Sequence, residues 1–286
     1  MKLMSPISFL RILLSGIILL MPVTVSTAQD SSDTTEVKTP GFLLASAGFT
    51  TNRANPRFPN AIRRPAALTT LSYYHSSGLY ASADYYKYFE SSQSTWESEI
   101  TAGFSKTWLD QFNLDASYGY HYFKGDSIFE GIPYRHAFGL SGAWTPDNFT
   151  LAVDQNLLLG GEKNYFLDLS LSYDIQFNKV LHPEGSLTFS PTITTSFGTT
   201  YWIPAMAYKY WKHKYGNGKM PPHFETRREF EYQNLSLILP IQYSIGSFTV
   251  SAAGFWSKPS RELRLQQWTN QSGFLVSFTY ALIFSK

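Results

Sequence analysis

From Gly41 onward the chain is a succession of runs of about ten residues in which apolar and polar side chains alternate, separated by clusters of turn residues. The final run is the plainest. In GFLVSFTYALIF, Phe274, Val276, Phe278, Tyr280, Leu282 and Phe284 share one face of a strand, while Ser277, Thr279 and Ala281 share the other. Tyr165, Leu167, Leu169, Leu171, Tyr173, Ile175 and Phe177 repeat the pattern against Asp168, Ser170, Ser172, Asp174 and Gln176, with aromatic residues at both ends of the apolar face. Phe112, Leu114, Ala116, Tyr118, Tyr120 and Tyr122 alternate in the same way with Asn113, Asp115, Ser117, Gly119 and His121. A strand crossing a bilayer with hydrocarbon on one side and water on the other needs such a face, an apolar band bounded by aromatic girdles.

Further runs extend from Gly41 to Thr50, Ala66 to Ser76, Gly78 to Phe89, Thr95 to Thr107, Pro133 to Thr145, Phe149 to Leu159, Gly185 to Phe197, Glu231 to Ser244 and Ser247 to Lys258. With the three above they predict a twelve-stranded, all-β, transmembrane antiparallel barrel. The connections agree with it. Even-numbered ones (SSG, LDQ, TPDN, NKVLHPE, SIGS) are short, whereas TNRANPRFPNAIRRP, KGDSIFEGI, residues 198–230 and PSRELRLQQWTNQS are long. Barrels of this kind place short turns on the periplasmic side and longer loops outside. A soluble sandwich or lipocalin-like barrel would turn its apolar face inward and leave the girdles without a purpose. An amyloid-like chain would not be broken so regularly by Pro and Gly.

The first forty residues read differently. Lys2 and Arg11 precede the apolar run Ile12 to Val23, and Ser26-Thr27-Ala28 then supplies small residues for a signal peptidase. The expected division is a signal peptide at 1–28, a flexible periplasmic leader at 29–40 and the barrel at 41–286. Cleavage would take the formal charge from +2 to 0, so the basic precursor carries no message about nucleic acid. Aromatic residues make up 17% and charged residues 15%, yet mean hydropathy is only −0.18. Alternation reconciles these values, because polar lumen residues dilute the lipid-facing ones. The absence of cysteine removes disulfide scaffolds, thiolate metal sites and thiol catalysis.

Candidate chemistry follows from strand parity and loop composition. Asp84, Glu97, Glu99, Asp115, Asp154, Asp168 and Asp174 fall on expected inward positions. They either line a cation-tolerant channel or pair with Arg135 and Lys106 to plug a narrow lumen. The outer loops are basic, with Arg53, Arg57, Arg63 and Arg64 in the first and Lys258, Arg261 and Arg264 in the last. The long loop sets Trp202, Tyr208, Tyr210 and Trp211 among Lys212, Lys214, Arg227 and Arg228, a combination suited to stacking on sugars, holding an anionic ligand or constricting the mouth. Lipopolysaccharide phosphates and small solutes are the expected partners, with the barrel-assembly machinery during biogenesis and no nucleic acid. His75, His121 and His136 lie on strands, but no Gly-x-Ser-x-Gly, His-Glu-x-x-His or phosphate-binding glycine loop is present. No catalytic residue, metal ligand or cofactor is nominated.

The alternating strands and the terminal LVSFTYALIF resemble bacterial outer-membrane barrel proteins, whose last strand is read by the assembly machinery. Here Ser285 and Lys286 follow the aromatic Phe284. SSGLYASADYY, followed by ESEITAGFSKTWLDQFNLDASYGYHYF, is similar to small barrels of the TorF or Gcw-chp type. That resemblance implies fold and location and brings no catalytic residues. The expected function is a small porin-like channel, the alternatives being an outer-leaflet lipid-modifying enzyme or a surface-binding barrel without transport.

Overall fold

The computed structural model describes residues 41–52, 65–89, 95–124, 134–160, 163–199, 230–265 and 269–284. The expected signal peptide and leader, and the long loop with Trp202 to Arg228, lie outside the described residues. The strands are β1 (Gly41–Thr50), β2 (Ala66–His75), β3 (Leu79–Tyr88), β4 (Trp96–Trp108), β5 (Phe112–Lys124), β6 (Tyr134–Trp144), β7 (Phe149–Gly160), β8 (Lys163–Tyr173), β9 (Ile175–Asn178), β10 (Gly185–Phe189), β11 (Thr192–Thr199), β12 (Phe230–Ile245), β13 (Phe248–Pro259) and β14 (Gln271–Phe284). One short helix, α1 (Arg261–Leu265), precedes β14.

Each segment pairs antiparallel with its neighbours, and β1 pairs with β14 from Gly41↔Phe284 to Thr50↔Leu275, so the sheet closes without an edge. Only Asp174 separates β8 from β9, and only Ser190 and Pro191 separate β10 from β11. Each pair is one interrupted strand, and the barrel therefore has the twelve strands that alternation predicts. The interruptions have a local cause. Pro191 and Pro240 carry no N–H to donate to the ladder, and irregular bonds replace it: Tyr173 N donates to Pro191 O (3.2 Å), Ser190 N to Pro240 O (3.2 Å) and Asp174 N to Asn148 O (2.7 Å).

Both described ends of the barrel and the tight turns share one rim, the turn side; the other rim is the loop side. At Gly78, whose N–H donates to His75 O at 2.9 Å, φ is +95°, which an L side chain rarely adopts. Loop-side connections are not uniformly long, since β7 and β8 are separated only by residues 161 and 162. The last loop contains α1. Ser260 caps it, its Oγ accepting from Leu263 N at 3.2 Å, and Leu263 is buried.

Strand parity separates two surfaces. Tyr80 on β3 reaches over β4 to donate its hydroxyl to Asp115 on β5 at 3.0 Å, a reach available only on the concave side of the wall. Gly103 on β4 lies beneath that ring, and a Cβ there would run into it. Residues in register with Tyr80 therefore face the lumen. Opposite parity carries Leu71, Ile100, Leu114, Leu140, Leu169, Leu239, Val250 and Phe278, all exposed. A continuous apolar exterior of this kind is stable only against hydrocarbon. Rings such as Tyr85, Trp96 and Tyr122 on the loop side, and Trp108, Phe112 and Trp144 on the turn side, bound the band.

Candidate lumen site

Charge on the strands is sorted by face. Asp84, Glu97, Glu99, Asp115, Asp154, Asp168 and Glu231 all have lumen parity, whereas Lys87, Lys106, Lys124, Lys163 and Lys258 all have outward parity. Most of the acids fall on two rows that run across neighbouring strands. In one, Thr70, Asp84, Glu99 and His121 are successive register partners. In the other, Ser105, Asp115, Ser141, Asp154, Asp168 and Ser196 follow one another from β4 to β11. Because the strands are staggered around the ring, the second row begins near the turn side at Asp115 and ends near the loop side at Asp168.

Individual acids are held by hydroxyl and imidazole groups. Thr70 Oγ1 donates to Asp84, and Tyr80 to Asp115. His121 Nε2 stands 3.2 Å from Glu99 Oε1 with both side chains largely buried, and His121 packs edge-on against Tyr134 at 5.1 Å. Asp84 is directly opposite Glu99, and Asp154 directly opposite Asp168. Facing like charges oppose pairing of the strands that bear them.

The remaining lumen wall, from β9 through β14 to β1 and β2, sets hydroxyls and amides among apolar residues such as Leu44, Leu68 and Leu275. Ser46 and Thr279 bond across the β1–β14 seam at 2.7 Å, Ser251 bonds to Ser277, and Ser244 to Thr249 at 3.0 Å. Nearer the loop side, Ser236 donates to Asn234 Oδ1 at 3.0 Å, and it bonds Ser257 at 2.9 Å. Among the described residues, the charged side chains of lumen parity on this wall are Glu231, close to the loop-side rim, and Asp174, at its border with β8.

Water access differs along the axis. Toward the turn side, inward residues such as Ser82, Ser105, Asn113, Asp115 and Thr150 are partly exposed. Toward the loop side Leu68, Tyr86, Tyr88, Tyr134, Leu158 and Phe166 form a buried cluster, and Glu97, Asn164 and Gln233 are buried beside it. The interior is therefore more polar toward the turn side, and narrowed toward the loop side by packed aromatic and aliphatic side chains. Alternation alone does not reveal this, because inward tyrosines such as Tyr86 share the parity of the inward acids.

Two expected partners of the acids lie elsewhere. Arg135 occupies the irregular register between Tyr134↔Gly160 and His136↔Leu159; that bulge breaks parity and leaves Arg135 exposed and outside the inward rows. Lys106 shares outward parity with Phe104 and Trp108 and lies 5.6 Å from the Trp108 ring centroid, at the turn-side girdle. Asp174 falls at the β8–β9 interruption, partly exposed, at the parity of Gln176. Trp202, Tyr208, Tyr210, Trp211, Lys212, Lys214, Arg227 and Arg228 lie outside the described residues. Of the strand histidines, His136 faces outward with Nδ1 2.8 Å from Tyr118 OH, and His75 stands at the turn-side rim 2.8 Å from Ser77 Oγ. No group of three or more His, Cys, Asp or Glu that could hold a metal occurs among the described residues.

No family model and no curated protein matches the chain. Solved structures similar to it include the KdgM porin (10% identity, TM-score 0.46, covering 84% of this chain and 98% of that one). The NanC porin is similar at 10% identity with a TM-score of 0.42, over 84% and 100% of the two chains. The β domain of the Bordetella autotransporter BrkA is similar at 9% identity with a TM-score of 0.46, over 85% and 100%.

Proposed function

We propose that the protein is an integral barrel of a bacterial outer membrane that passes small solutes and favours cations. The observation that carries this reading is the complete sorting of strand charge, acids toward the lumen and lysines toward lipid. Two acid rows lining a low-dielectric tube raise the local concentration of cations and repel anions. The loop-side narrowing limits passage to small species. Export by a cleaved segment at 1–28, handling by the assembly machinery and kinship with the TorF or Gcw-chp type belong to the same proposal. So does ligand capture by the loop from Trp202 to Arg228; deleting Tyr208 to Arg228 should leave a heat-resistant barrel.

The test is planar-bilayer recording of refolded protein under a KCl gradient. Discrete conductance steps with a reversal potential displaced toward that of potassium are expected. Absence of steps from a folded barrel would overturn the channel reading. One observation favours a second reading, a lipid-modifying enzyme: His136 faces lipid near the loop-side girdle, with Tyr118 as its partner. That reading requires lipid A of cells with and without the protein to differ in mass.

A further inference from the structure

Two of the outward lysines share one row. Lys87 on β3 is the register partner of Trp96 on β4, and Trp96 is the partner of Lys124 on β5. Adjacent strands are about 4.8 Å apart, so the two lysines rise roughly 10 Å from each other on either side of one indole. Their flexible four-carbon stems let both ammonium groups reach a single anion between them. In the next outward row toward mid-wall stand Tyr85, Ser98 and Tyr122. Trp96 lies 5.6 Å from Tyr85 and 5.2 Å from Tyr122 between ring centroids, and the three rings make one platform. Below it the exposed Ile100, Phe104, Leu114 and Tyr118 continue the apolar wall.

This is a graded surface: two cations at the rim, a step of contiguous, mutually tilted aromatic rings beneath, then hydrocarbon-facing side chains. Lys163 and Lys258 are placed differently, their register partners being Leu159 and Leu235. Among the described strands no other row holds two outward lysines. We infer that Lys87, Trp96 and Lys124 form a binding site for a phosphorylated, acylated sugar of the leaflet that meets the loop side. A phosphomonoester carries up to two negative charges and matches two ammonium groups better than a phosphodiester does. The aromatic step offers its surface to the sugar ring, and the acyl chains lie along the wall below. The site stands outside the lumen and is independent of conduction.

The experiment titrates the full refolded barrel in dodecylmaltoside with diphosphoryl lipid A, and in parallel with the same lipid stripped of phosphate, reading the lipid-bound fraction by native mass spectrometry. The wild-type chain should prefer the phosphorylated form by about tenfold, and K87Q/K124Q should lose that preference, as expected for charge-assisted contacts. K87R/K124R should retain it, W96A should weaken both lipids, and K163Q/K258Q should behave as wild type. Unchanged preference in K87Q/K124Q would overturn the inference, as would an equal loss in K163Q/K258Q, which would show a diffuse basic collar. Heat-modifiable migration verifies folding of each variant; if the double glutamine variant fails to fold, K87Q and K124Q are read singly, and no loss in either overturns the site.

Discussion

Asp154 and Asp168 stand side by side on one half of the barrel, while on the other half Ser251 and Ser277 hold the same kind of position. The first pair opposes two carboxylates across a strand boundary. The second joins two hydroxyls by a hydrogen bond. Outside, both halves carry the same leucine, valine and aromatic surface. The contrast separates two demands on each strand. Lipid fixes one parity everywhere, because a wrong residue there is costly at any angle around the ring. The lumen parity is free of that demand and differs from wall to wall, so it is where solute preference can be written.

Substitutions can break or sharpen this contrast. The largest effect should be common to both walls: Leu169→Arg on the acid wall and Leu239→Arg on the hydroxyl wall should each cost about 2–4 kcal/mol of barrel stability. Urea titration of barrels in lipid vesicles measures it, with Ser170→Arg as the milder lumen-facing control; a tolerated Leu239→Arg would mean that the hydroxyl wall does not meet lipid. Next in size is D154N/D168N, which should remove most of the cation preference seen in the reversal potential, while folding persists. A smaller displacement in the same direction is expected from Ser251→Lys, which introduces one cation to the neutral wall. A larger displacement from Ser251→Lys than from D154N/D168N would place the conducting path along the hydroxyl side. The smallest effect is Ser236→Ala, at about 0.5–1.5 kcal/mol for each of its two lost hydrogen bonds, read by the same titration with conductance unaltered.

Strand count, seam and faces are legible in the sequence because a period of two survives any tilt or stagger of the strands. The facing of Asp115 follows from that of Leu114. Arg135 is the instructive exception: a single irregular register beside Tyr134 undoes the counting, and no turn residue announces it. The outward facing of Lys106 is legible in its spacing to Phe104 and Trp108, and parity outweighs its charge there. Pro191 lies inside the expected run Gly185 to Phe197 and cannot donate to a ladder, but the resulting break takes its place only through the pairing of β10 and β11 with the distant β12. The rows of acids are a property of register. They exist only once β5, β6, β7 and β8 are staggered against one another.

The β1–β14 seam has a consequence for how the molecule comes into being. Ser46 and Thr279, bonded across it, are 233 positions apart in sequence. Contacts so distant form late and slowly, since the intervening chain must first be ordered. Until then the curled sheet keeps two open flanks, each a row of unpaired N–H and C=O groups able to join a stranger's strand. In a hydrocarbon setting those groups would have no water to satisfy them either. The last strand is thus a zipper as well as a stave, and a lesion confined to it, such as Ser277→Pro, leaves thirteen sound segments without a finished vessel.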